Sequence, residues 1–189
     1  MSSPIKLVIL DRDGTINYER GNYIKNAHEW EPLPGAIDAI ARLSHAGFHV
    51  VVATNQDGLG LEIFDVSALN AVHTKMHKLL TNVGGRIDAV FYCPHTVEEA
   101  CSCRKPQTGL FAMIGERYSI PLDGVPFVSG RVSDLVGTIK LKCEQHLVFT
   151  GKSEGLDHLS ADSSVGLKRH IDLAAAAEFL IKREELIFS

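Results

Sequence analysis

Short apolar runs alternate with amphipathic runs along most of this 189-residue chain. The apolar runs are short and rich in β-branched residues, which is typical of strands buried on both faces of a sheet. Because strands and helices alternate at this spacing, the sequence predicts an α/β fold, a doubly wound parallel sheet with helices on both faces. The predicted strands cover residues 5–10, 48–53, 87–92, 125–128 and 146–149.

The amphipathic runs predict the helices, and polar residues mark where several of them begin. The predicted helices cover residues 34–46, 65–84, 109–118, 133–141 and 172–183. Asp65, Ser133 and Asp172 are placed as N-caps because their side chains accept hydrogen bonds from free amides of the first turn. Residues 151–171 predict a polar surface excursion with a possible edge strand. No linker is visible, so we expect a single domain over residues 1–189.

Composition excludes several classes of partner. The formal net charge is −4 and no basic stripe stands out, which argues against nucleic acid. No apolar run approaches the roughly 20 residues needed to cross a bilayer, so no membrane partner is expected. The first residues lack signal-peptide anatomy, which predicts a cytoplasmic protein. We also expect a monomer.

The end of the first predicted strand carries the densest chemistry. Asp11-Arg12-Asp13-Gly14-Thr15 places two carboxylates two residues apart in a tight turn. Ligands of parallel α/β sheets bind beyond the carboxyl ends of the strands. One carboxylate could therefore attack as a nucleophile while the other moves a proton. The alternative is a turn whose aspartates only cap the backbone.

Three later loops add polar groups at the same predicted edge. Thr54 follows the second strand, where a hydroxyl and backbone amides can hold phosphoryl oxygens. Lys105 is the point charge that a phosphoryl-transfer site requires. Asp134 follows the fourth strand, where it is either a site residue or an ordinary first-turn helix acid. Each signal is weak alone.

A cluster of cysteines predicts a zinc site. Cys93, His95, Cys101 and Cys103 fall within eleven positions, and Cys₃His is a sufficient tetrahedral set for zinc. The alternative is a group of reduced surface thiols. With four protein ligands the site would be structural and would hold the residues that follow, Arg104 and Lys105. Cys143 stands apart and predicts a buried, unreactive thiol.

The combined motifs resemble the haloacid-dehalogenase-like (HAD) phosphotransferases. Within them, the chain is most similar to the heptose bisphosphate phosphatases and histidinol phosphatases, through LDRDGT, TNQ, a Cys-Pro-His…Cys-x-Cys-Arg-Lys-Pro loop and a later V-x-T-G. The likeness extends to about residue 151. It implies a magnesium-dependent phosphatase with a structural zinc loop over residues 93–103.

The resemblance also implies roles for individual residues. Asp11 would form an aspartyl-phosphate, and Asp13 would protonate the leaving oxygen and then activate water. Thr54 and Lys105 would hold the phosphoryl group. Magnesium would lie between the phosphate, Asp11, the Asp13 carbonyl and an acid after the fourth strand, as its preference for oxygen ligands requires. The implied contacts to a small sugar phosphate are Glu19, Arg20, Gly21, Asn55, Gln56, Arg104 and Arg131.

The spacing between motifs excludes a cap domain. Only 38 residues separate Thr15 from Thr54, and a loop, a helix and a strand use them. The fold is therefore expected to be uncapped, with its cleft covered by residues 17–31, residues 57–64 and the zinc loop. Tyr18, Tyr23 and Trp30 either line the rim or pack inside.

The chain departs from the family pattern at the predicted metal site. After the fourth strand the family reads Gly-Asp-x-x-x-Asp, whereas Gly130 stands here at the first aspartate and Asp134 at the second. We expect weak magnesium binding, improved by Gly130→Asp unless Gly130 holds a backbone conformation that aspartate cannot take. Asp57 replaces a small residue after Thr-Asn-Gln, and could supply part of the missing charge. No arginine follows in residues 59–62.

Three functions remain open at this point. The favoured one removes the 7-phosphate of D-glycero-D-manno-heptose 1,7-bisphosphate during lipopolysaccharide-core or surface-glycan precursor synthesis. Histidinol-phosphate phosphatase is the alternative enzyme. The third is a catalytically weakened relative that binds sugar phosphates, which Gly130 favours. His73 and His77 are expected at the solvent border of a helix, and the sequence assigns no partner to His45, His49, His146, His158 or His170.

Overall fold

A computed structural model describes residues 5–21, 23–151 and 166–188 of the chain. Six parallel strands form one open sheet in the order β3-β2-β1-β4-β5-β6. The strands are β1 Leu7–Leu10, β2 His49–Asn55, β3 Ala89–Cys93, β4 Pro126–Ser129, β5 Glu144–Val148 and β6 Lys168–His170. The helices are α1 Ala36–His45, α2 Val66–Asn82, α3 Gly109–Tyr118, α4 Val132–Gly137 and α5 Leu173–Phe188, with a short 3₁₀ turn at Ile139–Leu141.

Helices cover both faces of the sheet, as the alternating pattern predicts. Val8 and Leu10 of β1 face one apolar cluster, which α1, α2 and α5 complete. Leu7 and Ile9 face the opposite cluster, with α3 and α4. Successive side chains of a strand point to opposite faces, so a strand buried on both sides is apolar throughout. The doubly wound α/β prediction is confirmed.

Two of the three predicted N-caps are present. Asp65 accepts a hydrogen bond from the Ala68 amide, and Asp172 from the Ala175 amide, both at 2.8 Å. The Ser133 prediction is wrong, because α4 begins at Val132 and Arg131 occupies the N-cap position. The N-cap position therefore lies two residues earlier in the chain than predicted.

The connection from β1 to α1 contains no cap domain, so the fold is uncapped. Residues 11–21 and 23–35 form turns, irregular segments and isolated bridges before α1 begins. The possible edge strand predicted within residues 151–171 is present as β6, whereas residues 152–165 lie outside the described part. Within the described residues, no helix has the length and apolar character that a bilayer crossing demands.

Candidate active site

The carboxyl ends of β1, β2 and β4 meet at one edge of the sheet, beneath a cavity of about 250 Å³. The loops that follow these strands supply most of the lining, and the loop after the Cys/His cluster closes one side. The lining residues are Asp11, Arg12, Asp13, Glu19, Arg20, Gly21, Tyr23, Ile24, Thr54, Asn55, Gln56, Asp57, Arg104, Lys105, Arg131 and Asp134. All eleven residues predicted to bind substrate or act in catalysis are therefore brought together.

Asp11, Lys105 and Asp134 form a buried row of charges at the floor of the cavity. The Lys105 ammonium lies 2.6 Å from Asp11 Oδ1 and 2.7 Å from Asp134 Oδ2. Burial raises the pKa of Asp11 to about 6, although the charge of Lys105 opposes the shift. Burial also disfavours the charged form of Lys105, but the two carboxylates outweigh it and raise its pKa. A permanent cation therefore stands beside the first carboxylate.

Asp13 is held as a carboxylate by donors on three sides. Arg12 donates to both of its oxygens at 2.9 and 3.0 Å, Asn17 donates at 2.9 Å and Gln56 at 2.9 Å. Burial would raise the pKa of Asp13, yet the Arg12 charge and these hydrogen bonds lower it below its usual range. Gln56 also donates to the buried Thr54 hydroxyl at 2.9 Å, which joins the first two predicted motifs.

Asn55 fastens the third motif to the end of β2. Its amide nitrogen donates to the Lys105 carbonyl and its amide oxygen accepts from the Lys105 N–H, both at 3.0 Å. A two-bond clamp of this kind fixes the backbone of Lys105, and with it the position of the ammonium group. Asn55 is thus placed to position Lys105 as well as to line the cavity.

The Cys/His cluster lies directly before this loop. Ligand atoms of Cys93, His95, Cys101 and Cys103 lie within 4.8 Å of one another. The three sulfur–sulfur distances are 3.2–3.5 Å, and His95 Nδ1 lies 3.2 Å from Cys103 Sγ. Three thiolates and one imidazole at this separation fit the tetrahedral preference of zinc. The Arg104 N–H donates to Cys101 Sγ at 3.3 Å, so the cluster also orients the start of the Arg-Lys-Pro segment.

Ion pairs form the outer part of the cavity. Arg104 Nη2 lies 3.1 Å from Asp57 Oδ2, and Arg131 pairs with Glu19. Tyr23 lines the rim, whereas Tyr18 is exposed and outside the lining. Trp30 is fully buried in the main apolar cluster, so a rim position for it is wrong. Trp30 lies two residues before Pro32, which forms an isolated β-bridge with Asn17, and its indole packs into this apolar cluster.

Gly130 lies where three backbone segments converge. Its N–H donates to Thr15 Oγ1 at 2.9 Å, and an added Cβ would lie 2.5 Å from the Gly14 carbonyl oxygen and 2.9 Å from Gly151 Cα. Gly14 itself has a φ of +77°, a conformation that favours glycine. Gly130 is not among the described glycines with a positive φ, so the structure does not support a backbone conformation closed to aspartate as its role. The close approach of the neighbouring backbone is what excludes a side chain at this position.

The oxygen donors around Asp11 fit a magnesium ion. They include one carboxylate fewer than the family pattern, because Gly130 stands in place of an aspartate. Asp11 Oδ1 accepts from Lys105 at 2.6 Å, whereas Oδ2 accepts a longer 3.4 Å hydrogen bond from Ser129 Oγ. Asp134 is bonded to Lys105, and Asp57 is bonded to Arg104. Hard oxygen donors are present, which suits magnesium, and water completes its shell where ligands are missing.

Several contacts near the site carry no signal in the sequence. Ser129 lies beside Asp11, and His73 Nε2 lies 3.4 Å from Arg12 Nη1. His77 is exposed, as expected at a solvent border, whereas His73 is partly buried. Burial and the Arg12 charge lower the pKa of His73 to about 4. Only the fold brings the middle of α2 over the loop after β1.

His146 and His170, to which the sequence assigns no partner, contact each other in the structure. His146 Nδ1 and His170 Nε2 lie 2.9 Å apart, and the rings stack with 10° between their planes. His146 also lies 3.3 Å from Glu144. His45 contacts the Gly84 carbonyl, His49 lies 3.7 Å from Asp88, and residue 158 lies outside the described part. Cys143 is buried as predicted, and burial raises its pKa to about 12.

Comparison with known proteins decides the family. Residues 6–171 match the family model described as polynucleotide kinase 3 phosphatase. The chain is 44% identical over 179 residues to the D-glycero-beta-D-manno-heptose-1,7-bisphosphate 7-phosphatase of Bordetella bronchiseptica, which covers 94% of this chain and 99% of that protein. The chain belongs to the HAD-type heptose bisphosphate phosphatase family. The Pseudomonas aeruginosa member is 42% identical, over 93% of this chain and 98% of that protein.

A solved member of the heptose bisphosphate phosphatase family has the same fold. It is the D,D-heptose 1,7-bisphosphate phosphatase of B. bronchiseptica complexed with magnesium and phosphate. The superposition has a TM-score of 0.90 at 42% identity and covers 95% of this chain and 99% of that chain. The family resemblance predicted from the motifs is confirmed.

Proposed function

We propose that this protein is a magnesium-dependent phosphomonoester hydrolase that removes the 7-phosphate of D-glycero-D-manno-heptose 1,7-bisphosphate. The observation that carries the proposal is the buried Asp11 carboxylate, 2.6 Å from the Lys105 ammonium and two residues before Asp13, at the carboxyl edge of the sheet. The names of its relatives support the substrate. Such a reaction belongs to the synthesis of lipopolysaccharide-core or surface-glycan precursors.

Asp11 acts as the nucleophile. Its carboxylate forms a bond to phosphorus as the bond from phosphorus to the sugar oxygen breaks, and Asp13 donates a proton to that oxygen. Asp13 rests as a carboxylate, and the negative charge of an entering phosphate raises its pKa toward the protonated form. Asp13 then takes a proton from the water that attacks the aspartyl-phosphate, which releases phosphate and regenerates Asp11.

Lys105 and Thr54 hold the phosphoryl group through both steps. The ammonium neutralises charge on the equatorial oxygens, and the Thr54 hydroxyl with nearby amides orients them. Asp11 and the Asp13 carbonyl would hold bound magnesium, which would supply further positive charge to the phosphoryl oxygens. Asp134 pairs with Lys105 at the same site. Glu19, Arg20, Gly21, Gln56 and Arg131 are assigned to the sugar side, together with Arg104 and Asn55.

The zinc loop has a structural role in this proposal. Four protein ligands leave no open coordination position for chemistry. A closed site beside Arg104 and the Asn55 clamp holds Lys105 in register with Asp11. We also propose a cytoplasmic monomer that functions as a single domain.

The test is phosphate release with magnesium from three substrates. Heptose 1,7-bisphosphate is expected to be hydrolysed to the 1-phosphate, with much slower release from histidinol phosphate and from a 3′-phosphorylated oligonucleotide. The oligonucleotide is included because of the family-model description. Preference for either competing substrate would overturn the assignment, and binding of the bisphosphate without turnover would favour the weakened relative.

A further inference from the structure

Carboxylates and cationic groups are present in equal number in the described lining of the cavity. Five acids face five bases, so the formal charge of these residues is zero before any ligand or metal enters. The acids are Asp11, Asp13, Glu19, Asp57 and Asp134, and the bases are Arg12, Arg20, Arg104, Lys105 and Arg131. Each of these bases already has a carboxylate within 4 Å.

The two phosphates of a sugar bisphosphate would meet different charge environments in this cavity. The Lys105 ammonium is shared between the carboxylates of Asp11 and Asp134. A phosphate that reacts at Asp11 would meet this ammonium, and bound magnesium would add positive charge there. The distal phosphate enters a region where the arginines of the described lining are already paired. The distal phosphate can pair with an arginine only by displacing a carboxylate. Breaking that ion pair makes the binding free energy less favourable.

Arg104 is the arginine of this outer group that is best placed to meet a distal phosphate. It precedes Lys105 in the chain, and its Nη1 also donates to the His95 carbonyl at 3.3 Å. The second anchor fixes the guanidinium against the Cys/His cluster. Its pair with Asp57 is partly buried, with side chains 23% and 21% exposed, whereas the Arg20–Glu31 pair is 48% and 62% exposed.

Tyr23 and Asp57 both line the cavity. Desolvation and the nearby Asp57 charge raise the pKa of Tyr23. Tyr23 has a φ of +62°, in the left-handed region. The Asp57 carboxylate therefore pairs with Arg104 of the loop after the Cys/His cluster and shares the cavity lining with Tyr23 of the loop before α1.

We propose that Asp57 is a specificity-determining residue that competes with the distal phosphate of a sugar bisphosphate for Arg104. The inference rests on the function proposed above. Asp57 lowers the preference for bisphosphates over monophosphates, because the distal phosphate must replace an existing carboxylate partner of Arg104. A neutral side chain at position 57 leaves the arginine open to the phosphate.

Asp57→Asn is the direct test, because asparagine keeps the size of the side chain and removes its charge. We expect the KM for heptose 1,7-bisphosphate to fall on the order of tenfold, with a smaller change in kcat, because one charge-assisted pair no longer has to be broken. The KM for heptose 7-phosphate, which lacks the distal group, should change less than about threefold. Asp123→Asn is the matched control, since it removes one charge from an exposed pair with Lys142 in the loop before β4.

A double-mutant cycle separates competition from a structural role. In an Arg104→Gln background, Asp57→Asn should no longer change the KM for the bisphosphate. An unchanged KM ratio in Asp57→Asn, or an equal effect with and without Arg104, would overturn the inference while the wild-type enzyme still hydrolyses the bisphosphate. Absence of turnover in the wild type would overturn the proposed function and the inference together. Thermal melts confirm that each variant is folded.

Discussion

Arg12 is a charged residue that is only 1% exposed, and its guanidinium group has partners on several sides. It contacts both oxygens of Asp13, the side-chain amide oxygen of Gln56 and His73. A buried charge is tolerated when it is paired and hydrogen-bonded, and removal of one partner typically costs about 3–5 kcal/mol. Arg12 therefore fixes the position and the ionised state of Asp13 without lying at the reacting atoms itself.

The close backbone contacts of Gly130 predict how substitutions at this residue affect stability. Gly130→Ala should lower the free energy of unfolding by about 1–3 kcal/mol, because the added Cβ meets the Gly14 carbonyl and the Gly151 backbone. Gly130→Asp carries the same clash, so the metal benefit first considered for it is offset by strain. Urea unfolding measures both variants.

Gly21→Ala serves as the matched control for Gly130→Ala. Nothing lies within 4 Å of an added Cβ at position 21, so its free energy of unfolding should change by less than about 0.5 kcal/mol. Equal stability of the two alanine variants would contradict the close-approach explanation for Gly130.

The Cys/His cluster is the element that connects metal binding to the site. We expect about one zinc per chain after purification without added metal. Cys103→Ser should lower zinc content and phosphatase activity together, because loss of one thiolate loosens the loop that presents Lys105. Elemental analysis and phosphate release measure the two effects.

Cys143→Ser is the control for the zinc prediction. Cys143 is buried outside the cluster, so this variant should keep the zinc. Substoichiometric zinc in the wild type, or full activity in a zinc-depleted Cys103→Ser variant, would contradict the structural role.

The elements themselves were predictable to differing degrees. The first five strands and their helices follow from apolar periodicity, because a strand covered by helices on both sides is apolar on both faces. Most boundaries shift by one or two residues, whereas the last residues of α4 and α5 differ from the prediction by four and five residues. The contact of α2 with the loop after β1, through His73 and Arg12, depends on tertiary packing that no local pattern encodes.

The site shows the same division. The motifs place Asp11, Thr54, Lys105 and Asp134 at one edge because parallel strands end together. The spacing does not determine which of these side chains pair with one another. That Asp57 pairs with Arg104 instead of facing the predicted metal is therefore visible only in three dimensions. The stacked pair His146–His170 likewise requires β5 and β6 to be neighbours.

The pair of His146 and His170 predicts how the stability of the whole molecule depends on pH. Burial and the nearby charges of His146 and Lys168 lower the pKa of His170 to about 4. The unfolded chain binds this proton near pH 6.5. Protonation therefore favours the unfolded state, and the free energy of unfolding should fall as the pH decreases from about 6.5 to about 4.

His170→Gln tests this dependence. Glutamine can still bond His146 but does not titrate, so the variant should lose less stability than the wild type between pH 7.5 and pH 5.0. Urea unfolding at the two pH values gives the difference. Equal losses in the two proteins would show that His170 does not contribute to the pH dependence.

The central claim is that Asp11 forms a covalent bond to phosphorus. The most direct measurement is magnesium-dependent phosphate release from heptose 1,7-bisphosphate by the wild type and by Asp11→Asn at equal concentration. An amide can neither attack phosphorus nor carry the charge that pairs with Lys105, so the account predicts turnover by the wild type and none above background by the variant. Near-normal phosphate release by folded Asp11→Asn would contradict it.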